Sequence, residues 1–384
     1  MVHGHSALID FIKSLYSEQD CVPLHAPVFM GNEKKYMQDC IDTTFVSYIG
    51  KYVTQFEEIT AAYTGSKYAV AFVNGTAALQ IALQVAGVNR GDEVITQALT
   101  FVATANAITH AGGNPVFVDV DRDSLGMSPK ALSKWLEDNV IINSGSQAIN
   151  RTSGRPVSAI VPMHTFGNPC RIDEIIRIAD EYNIPVIEDA AESLGSTYKQ
   201  KHTGTFGLAG ILSYNGNKTI TAGGGGMIIT DDYALAVRAR HISTTAKIPH
   251  KWEFAHDELG YNFRLNNVCA SIGVAQMEKL DSYLTNKRRT AESYAEYCRN
   301  EELKLVGAIP GATPNNWLNA IVLGDREDRD AFLDYSNEQG VMARPIWNLM
   351  NKLGMFKNCQ HDGLENSIWL EDRIVNIPSG VRTV

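Results

Sequence analysis

The sequence lacks the features that would suggest a secreted, membrane-bound or nucleic-acid-binding protein. Its six cysteines are scattered without a close pair, so we expect neither a disulfide framework nor a metal site, and the pattern is typical of the reducing cytoplasm. No run of about 18 apolar residues occurs, and residues 1–20 contain no basic segment followed by an apolar one. The net charge of -9 gives no overall attraction for nucleic acid or an anionic membrane.

What is present is typical of a folded enzyme-sized chain. The composition, 44% hydrophobic and 20% charged, is that of a globular protein. A length of 384 residues is enough for two domains that share a large core. Because no repeat, low-complexity tract or Pro/Ser-rich linker separates them, we expect tight packing, with a ligand cleft at the junction.

Short β-branched runs alternate with amphipathic helical stretches over the first two-thirds of the chain, as in "AVAFV" followed by "GTAALQIALQVAG". This alternation predicts an α/β fold with a mainly parallel sheet covered by helices on both faces. The runs before Ile229 indicate six or seven strands, and we expect seven. We predict a large domain at residues 1–250, with an N-terminal helical segment, and a smaller α+β domain at residues 251–384.

One lysine lies in an unusual stretch, "SYNGNKTITAGGGGMI", residues 213–228. The spacing does not fit a P-loop, and the glycines do not fit the dinucleotide-binding pattern G-x-G-x-x-G. Most lysines are solvated surface charges, but Lys218 follows a strand of small residues and precedes glycines, which favours a strand end inside a cleft. Burial would lower its proton affinity, and a neutral amine attacks carbonyl carbon. Covalent attachment of pyridoxal 5'-phosphate (PLP) becomes a hypothesis.

A PLP site needs three further groups. Asp189, after the strand-like "IPVIE", is a candidate partner for the ring nitrogen, although an N-cap is the alternative for an Asp at that place. The turn in "FVNGTAAL" offers amides at a helix start for the phosphate. Phe101 could cover the ring face or belong to the core. The phosphate candidates are Gly75, Thr76, Ala77 and Ser213.

Together these pieces resemble the DegT/DnrJ-like nucleotide-sugar aminotransferases. The similarity is collinear from "VPLHAPVFMGNEKKYM" through "NGTAAL", "TFVATANAI", "EDAAESLGS", "SYNGNK" and "LGYNFRLNN" to "ARPIW". It implies the PLP-dependent transferase fold of type I, the aspartate aminotransferase-like fold, with Lys218 holding the cofactor and Asp189 on the pyridine nitrogen. Glu192 takes the position that touches the ring hydroxyl, where members usually have Gln or His. Asn262 would reach the cofactor phosphate of the other subunit, which implies a homodimer with shared sites.

The resemblance implies transfer of an amino group from L-glutamate to C4 of a nucleotide-linked 4-keto-6-deoxy sugar. Four glycines at 223–226 and "EDAAES" resemble the subgroup acting on UDP-N-acetyl-4-keto-6-deoxyhexosamines, which makes bacillosamine-type and legionaminic-type precursors of surface glycans. Alternatives are a GDP-perosamine-type or 3-keto sugar aminotransferase, a PLP-dependent sugar dehydratase, a PLP enzyme acting on amino acids alone, and a regulatory protein without catalysis. Lys218 disfavours the dehydratase, in which histidine replaces the lysine.

A substrate with two phosphates requires basic groups in the outer cleft. Candidates are Lys247, Arg264 and Arg344, although arginines more often form surface ion pairs. Further candidates for contacts with the sugar or base are His164, His250, His256 and Trp347. Histidines at strand ends are as often structural, and the tryptophan could instead fill the seam between domains.

Overall fold

The computed structural model describes residues 2–16 and 21–383. The chain folds into a large α/β part and a smaller part built around its own sheet. The helices are α1 Val2–Leu15, α2 Glu33–Asp42, α3 Lys51–Thr64, α4 Gly75–Val85, α5 Val102–His110, α6 Pro129–Asn139, α7 Ile172–Glu181, α8 Tyr233–Ser243, α9 Asn267–Met277, α10 Leu280–Asn300, α11 Arg326–Glu338 and α12 Glu365–Glu371. Short 3₁₀ turns are formed by Thr165–Gly167 and Met350–Lys352.

The strands follow the same chain order. They are β1 Tyr68–Phe72, β2 Glu93–Gln97, β3 Asn114–Val118, β4 Val140–Ile142, β5 Ala148–Asn150, β6 Val157–Val161, β7 Ile187–Asp189, β8 Thr197–Tyr198, β9 Lys201–His202, β10 Ala209–Ser213, β11 Gly226–Thr230, β12 Lys304–Leu305, β13 Ala312–Thr313, β14 Asn319–Val322, β15 Arg344–Pro345 and β16 Ile374–Ile377.

The large sheet has the order β3-β2-β6-β7-β10-β11-β1. Its two halves, β3-β2-β6 and β7-β10-β11-β1, are joined by parallel bridges from Ile160 to Val186 and from Met163 to Asp189. β11 is antiparallel to both of its neighbours, whereas the other pairings are parallel. The predicted mostly parallel sheet of seven strands is confirmed.

Helices cover both faces of this sheet because its strands are apolar on both sides. Val70 and Phe72 of β1 pack with α4, α5 and α8, whereas Ala69 and Ala71 pack with α3 and α9. Alternate residues of a strand point to opposite faces, so a strand buried on both sides reads as a continuous apolar run. This explains why "AVAF" shows no polar alternation.

The smaller sheet, β12-β14-β16-β15, is antiparallel throughout. One face packs on α10 and α11, and α1 joins the same core through Leu8, Ile9 and Ile12. The other face packs on the large part, where Trp317 and Leu349 meet Leu99 and Phe166. The two parts therefore share an apolar interface.

The packing of the core does not follow the domain boundary that we expected between residues 250 and 251. α1 belongs to the core of the smaller sheet, although we expected it in the domain at residues 1–250. Leu265 and Val274, which we expected in the smaller domain, pack instead against α3 and the large sheet. The chain thus crosses between the two parts more than once, and only side-chain packing reveals where. Among the described residues, every helix is too short or too polar to cross a bilayer.

Candidate active site

A cavity of about 320 Å³ lies at the carboxyl ends of the parallel strands, where the two parts meet. In open α/β sheets this edge is where ligands bind. β7 ends at Asp189, β10 ends at Ser213, and only two residues separate the end of β1 from the start of α4. The cavity is lined by Asn74, Gly75, Thr76, Leu79, Phe101, Ala103, Thr104, Met163, Asp189, Ala191, Glu192, Ile211, Ser213, Asn215, Asn217, Lys218, Trp317 and Trp347.

The first turn of α4 provides backbone donors to the cavity. Asn74 caps the helix, because its side chain accepts a hydrogen bond from the Ala77 amide at 2.8 Å. The Gly75 and Thr76 amides have no carbonyl partner within the helix, since the first turn never does, and the helix dipole makes this end attractive to an anion. Ala77 is corrected: its amide is already used by Asn74, and it does not line the cavity.

The glycine run allows the strand beneath this turn to approach closely. A Cβ added at Gly226, the first residue of β11, would lie 2.4 Å from the Asn74 carbonyl and 2.6 Å from the Gly75 nitrogen. A Cβ added at Gly75 would meet the Ser213 Cβ at 3.3 Å. The last glycine of the run therefore allows β11 to pack against the first turn of α4, and it does not itself line the cavity.

Asp189 presents a fixed carboxylate to the cavity. The residue is 5% exposed, and its Oδ2 accepts a hydrogen bond from the Thr104 hydroxyl at 2.7 Å. Its Oδ1 accepts from the Ala191 amide at 3.2 Å, and residues 190–196 form turns rather than a helix. The N-cap interpretation is therefore wrong. A carboxylate held in this way suits a protonated ring nitrogen.

Lys218 and Glu192 face each other across the same cavity. The Lys218 Nζ lies 3.2 Å from Glu192 Oε1, and the two side chains are 13% and 2% exposed. Glu192 Oε2 accepts a hydrogen bond from the Phe166 amide at 2.9 Å. Burial raises the pKa of Glu192 above its ordinary value, and this is opposed in part by the Lys218 charge and the Phe166 amide. The proton affinity of this acid is thus tied to the state of the lysine.

These groups fit PLP. The Lys218 amine suits the aldehyde of that cofactor, and the Asp189 carboxylate suits its ring nitrogen. The free amides at the start of α4 suit its phosphate. Ser213 lies beside the first turn of α4. Phe101 and Trp347 also line the cavity, and the centroids of their rings are 6.0 Å apart. Phe101 is 47% exposed, so it is a cleft residue and not part of the core.

His164 does not lie in the cavity, which corrects the expectation that it faces the sugar. It is 0% exposed. Its Nδ1 lies 3.2 Å from the Cys170 amide, which donates to it, so Nε2 carries the proton donated to Glu188 Oε2 at 2.9 Å. An imidazole with both nitrogens engaged in the interior cannot contact a substrate. Its role is to fix the strand end next to Asp189.

Arg264 is also structural, which corrects its assignment to the substrate diphosphate. Its guanidinium is buried and lies 2.7 Å from Glu57 Oε1. A second nitrogen donates to the Ala71 carbonyl at 2.7 Å. A charge already paired in the interior is not free to bind a ligand.

The remaining basic candidates lie outside the cavity of this chain. Arg344 is exposed and donates to the Asn337 side chain and the Ala343 carbonyl, so the structure does not place it in the cleft. Lys247 lies 4.0 Å from the Phe254 ring centroid, in an irregular segment, residues 246–260, that also carries His250 and His256, both exposed. Asn262 is exposed just after this segment.

The residues that sequence reasoning missed include Thr104, Asn217 and Trp317, which line the cavity, and Asn315, which lies just outside it. Thr104 lies within "TFVATANAI", where its spacing from Phe101 was a usable signal. Asn315 donates to the carbonyls of Glu192 and Leu194 and to Thr219 Oγ1, and it thereby supports the cavity from outside. Nothing in the local pattern of "PNNWLN" indicates that it reaches the site.

The chain is similar to known aminotransferases in sequence and in fold. A family model described as the DegT/DnrJ/EryC1/StrS aminotransferase family matches residues 29–383. GDP-perosamine synthase of Escherichia coli O157:H7 is 34% identical over 360 residues, which are 93% of this chain and 93% of that protein. GDP-perosamine synthase of Vibrio cholerae is 32% identical over 363 residues, 93% and 94% of the two chains. The crystal structure of the aminotransferase TlmJ from Streptoalloteichus hindustanus superposes with a TM-score of 0.83 at 24% identity, covering 94% and 93%.

Proposed function

Since the chain belongs to the DegT/DnrJ/EryC1/StrS aminotransferase family, we propose that it transfers an amino group from L-glutamate to C4 of a nucleotide-linked 4-keto-6-deoxy sugar. The family is PLP-dependent and acts on nucleotide sugars, so the coarser statement, a PLP-dependent nucleotide-sugar aminotransferase, holds for this chain. Three finer points are our proposal: L-glutamate is the amino donor, C4 receives the amino group, and the acceptor is a 4-keto-6-deoxy sugar.

One observation carries the proposal: Lys218, Asp189 and the start of α4 line a single cavity, although they come from three separate strand ends. When bound there, PLP supplies an electron sink for the carbanion that amino transfer requires. Lys218 would hold the cofactor covalently. Asp189, Gly75, Thr76 and Ser213 would hold its ring nitrogen and phosphate.

The residues of this chain then have distinct tasks. The Lys218 amine, once released, would remove the proton from the α carbon of the donor in the first half of the reaction and deliver a proton to C4 of the sugar in the second half. Asp189, whose carboxylate is held by a hydrogen bond from the Thr104 hydroxyl, would keep a proton on the ring nitrogen. Phe101 and Trp347 would border the ring and the sugar, and apolar walls exclude water from a charged intermediate.

We extend the proposal to a homodimer with shared sites. Among the described residues that line the cavity, Lys218 is the cation, yet the substrates bring carboxylates and a diphosphate. Large apolar side chains are exposed in two segments, residues 41–49 and residues 248–259, and such patches usually mark interfaces. They are Ile41, Phe45, Val46, Tyr48, Ile49, Ile248, Trp252, Phe254 and Leu259. Lys247, His250 and Asn262 would supply polar contacts to the partner's site.

Mixing inactive variants tests the shared site. Lys218→Ala and Asn262→Ala each inactivate or weaken a homodimer, but a mixed dimer holds one site with both changes and one with neither. We expect the mixture, after subunit exchange, to regain about a quarter of wild-type activity. A mixture no more active than its components would contradict contribution of Asn262 across the interface.

Two nucleotides are candidates for the substrate. The relatives that carry the name GDP-perosamine synthase cover 93% of this chain, which favours a GDP-linked sugar. The glycine run and "EDAAES" supported a UDP-linked N-acetyl sugar of the bacillosamine or legionaminic type. We propose the GDP-linked sugar first and the UDP-linked sugar second.

The test uses purified protein in two steps. Borohydride reduction followed by peptide mapping should place the cofactor on Lys218, and an adduct elsewhere would remove the assignment. Protein loaded with pyridoxamine 5'-phosphate is then mixed with GDP- and UDP-linked 4-keto sugars, and the return of the aldehyde absorbance is followed. Recovery with a simple keto acid and with neither sugar nucleotide would contradict the proposed substrate class.

A further inference from the structure

The indole of Trp317 lies against the reactive nitrogen of Lys218. The Lys218 Nζ is 4.1 Å from the centroid of the ring, and Trp317 is 4% exposed while lining the cavity. A cation within about 6 Å of an aromatic face is attracted to it, most strongly for tryptophan and in a site shielded from water. The contact is therefore suited to an ammonium group.

Trp317 is held in this position from three sides. Its indole N–H donates to the carbonyl of Asn217, the residue before Lys218, at 2.7 Å. Its amide donates to Asn315 Oδ1 at 2.8 Å, and its carbonyl accepts from the Lys287 Nζ at 3.2 Å. Because these bonds fix both the ring and the main chain, the indole cannot turn away when the lysine moves.

Glu192 completes the surroundings of the amine. Its Oε1 lies 3.2 Å from the Nζ, and Asn315 bonds the Glu192 carbonyl and the hydroxyl of Thr219. The segment 315–317 thus joins Glu192, Lys218 and Trp317 into one unit. The Lys218 Nζ therefore lies between the Glu192 carboxylate and the face of the Trp317 ring.

We propose that Trp317 and Glu192 form a holding site for the Lys218 ammonium group, which occupies it whenever the lysine is not joined to the cofactor. The inference rests on the proposed function, in which the donor's ammonium group replaces the Lys218 nitrogen in the bond to the cofactor. One C=N bond would form and one would break, and two protons would pass from the donor's ammonium group to the departing lysine nitrogen, which leaves as an ammonium group. The holding site keeps that nitrogen near the cavity for proton transfer and for reattachment.

The experiment measures the Lys218 amine directly in the cofactor-free protein. Trace acetylation over a range of pH, read by mass spectrometry of the Lys218 peptide, gives the pH at which half of the amine is reactive. Trp317→Leu should lower this midpoint by about 0.5 to 1 pH unit, because the aromatic face stabilises the charged form. Trp317→Phe keeps a face and should change it less.

Water entering an enlarged cavity would raise the midpoint, so a fall is not explained by looser packing. Trp347→Leu is the matched control, since Trp347 lines the same cavity without lying at the Nζ, and its midpoint should equal that of the wild type. An unchanged or raised midpoint in Trp317→Leu overturns the inference. If borohydride still attaches the cofactor to Lys218 in that variant, the proposed function survives; if wild-type protein gives no adduct, the proposed function fails first.

Discussion

Lys218 and Lys287 both have their charged ends inside the fold, and their surroundings differ. Lys218, at a turn after β10, has Glu192 and the Trp317 ring at its nitrogen. Lys287, in the middle of α10, is 1% exposed and donates to the carbonyls of Trp317 and Ser379. Among the described residues, no carboxylate forms an ion pair with it. Burial lowers the pKa of Lys287 to about 7, yet Lys287 does not line the cavity that contains Lys218.

The comparison separates burial from reactivity. A buried lysine with a lowered pKa is often taken as a sign of catalysis, but Lys287 has the lowered pKa without access to a ligand. Lys218 has access, a nearby acid and a defined direction of approach. Position at the cavity, rather than loss of the proton, distinguishes the two.

The largest effect is expected from removing the nitrogen that would bond the cofactor. Lys218→Arg keeps a positive charge but cannot form the covalent link, so turnover should fall by about 10⁴-fold or more. Lys287→Met is the matched control and should keep at least a tenth of wild-type activity. The measurement is kcat with a sugar nucleotide, with folding checked by circular dichroism. Comparable losses in both variants would remove the distinction between the lysines.

A smaller effect is expected from Asp189. Asp189→Asn keeps the bond from Thr104 but removes the charge that would hold a proton on the ring nitrogen, so kcat should fall about 100- to 1,000-fold. The control is Asp119→Asn, because Asp119 is a buried carboxylate that accepts from Ser367 away from the cavity. Only the Asp189 variant should alter the cofactor absorbance. An unaltered spectrum in Asp189→Asn would show that another group holds the nitrogen.

Glu192→Gln removes the carboxylate beside Lys218. Lys218 would then resemble Lys287, which forms no ion pair among the described residues. The amide oxygen can still accept from the Phe166 amide, so the change removes mainly the charge beside the Nζ. A hydrogen bond to a charged group contributes about 1.5–3 kcal/mol, so we expect kcat to fall about 10- to 100-fold with little change in KM. Glu57→Gln, next to the buried Arg264, should lower stability and leave kcat unchanged. A wild-type kcat in Glu192→Gln would mean that the amine needs no acid beside it.

The sequence was most informative where the site is built from strand ends. Asp189, Ser213 and Gly75 follow apolar runs directly, and the carboxyl ends of parallel strands meet at one edge, so local pattern and topology together place them. Trp317 and Asn315 come from the other domain, about 100 residues after Lys218, and no local pattern brings them to the cavity. Because these residues lie so far from Lys218 in the sequence, their proximity to it could not be predicted.

The wrong assignments have a related cause. His164 and Arg264 also lie beside strand ends, as ligand-binding residues do. Whether such a side chain faces a cavity depends on a partner elsewhere in the chain, here Glu188 for the histidine and Glu57 for the arginine. Since an isolated sequence does not identify those partners, residue type and position alone could not separate a substrate contact from a buried ion pair.

The smallest effect on activity, and the sharpest test of the comparison, comes from Lys287→Met. The pKa of Lys287 is about 7 in the folded protein and ordinary, near 10.5, when unfolded, so between these values the unfolded chain holds a proton that the folded chain lacks. Stability therefore rises with pH across this window by up to about 1.4 kcal/mol per unit, whereas below about pH 7 the full cost of the buried charge is present.

The variant lacks this dependence. From about pH 7 to about pH 9, the free energy of unfolding should therefore rise by about 2 kcal/mol more in the wild type than in Lys287→Met. Burial, Lys287 and Lys218 hold the pKa of His25 well below its ordinary value, so that residue is neutral in the folded protein over this range. Its ionisation in the unfolded chain is the same for wild type and variant and cancels from the difference. Denaturant unfolding at several pH values measures the difference. Parallel curves would mean that Lys287 keeps its proton in the interior, and the contrast with Lys218 would then rest on access to the cavity alone.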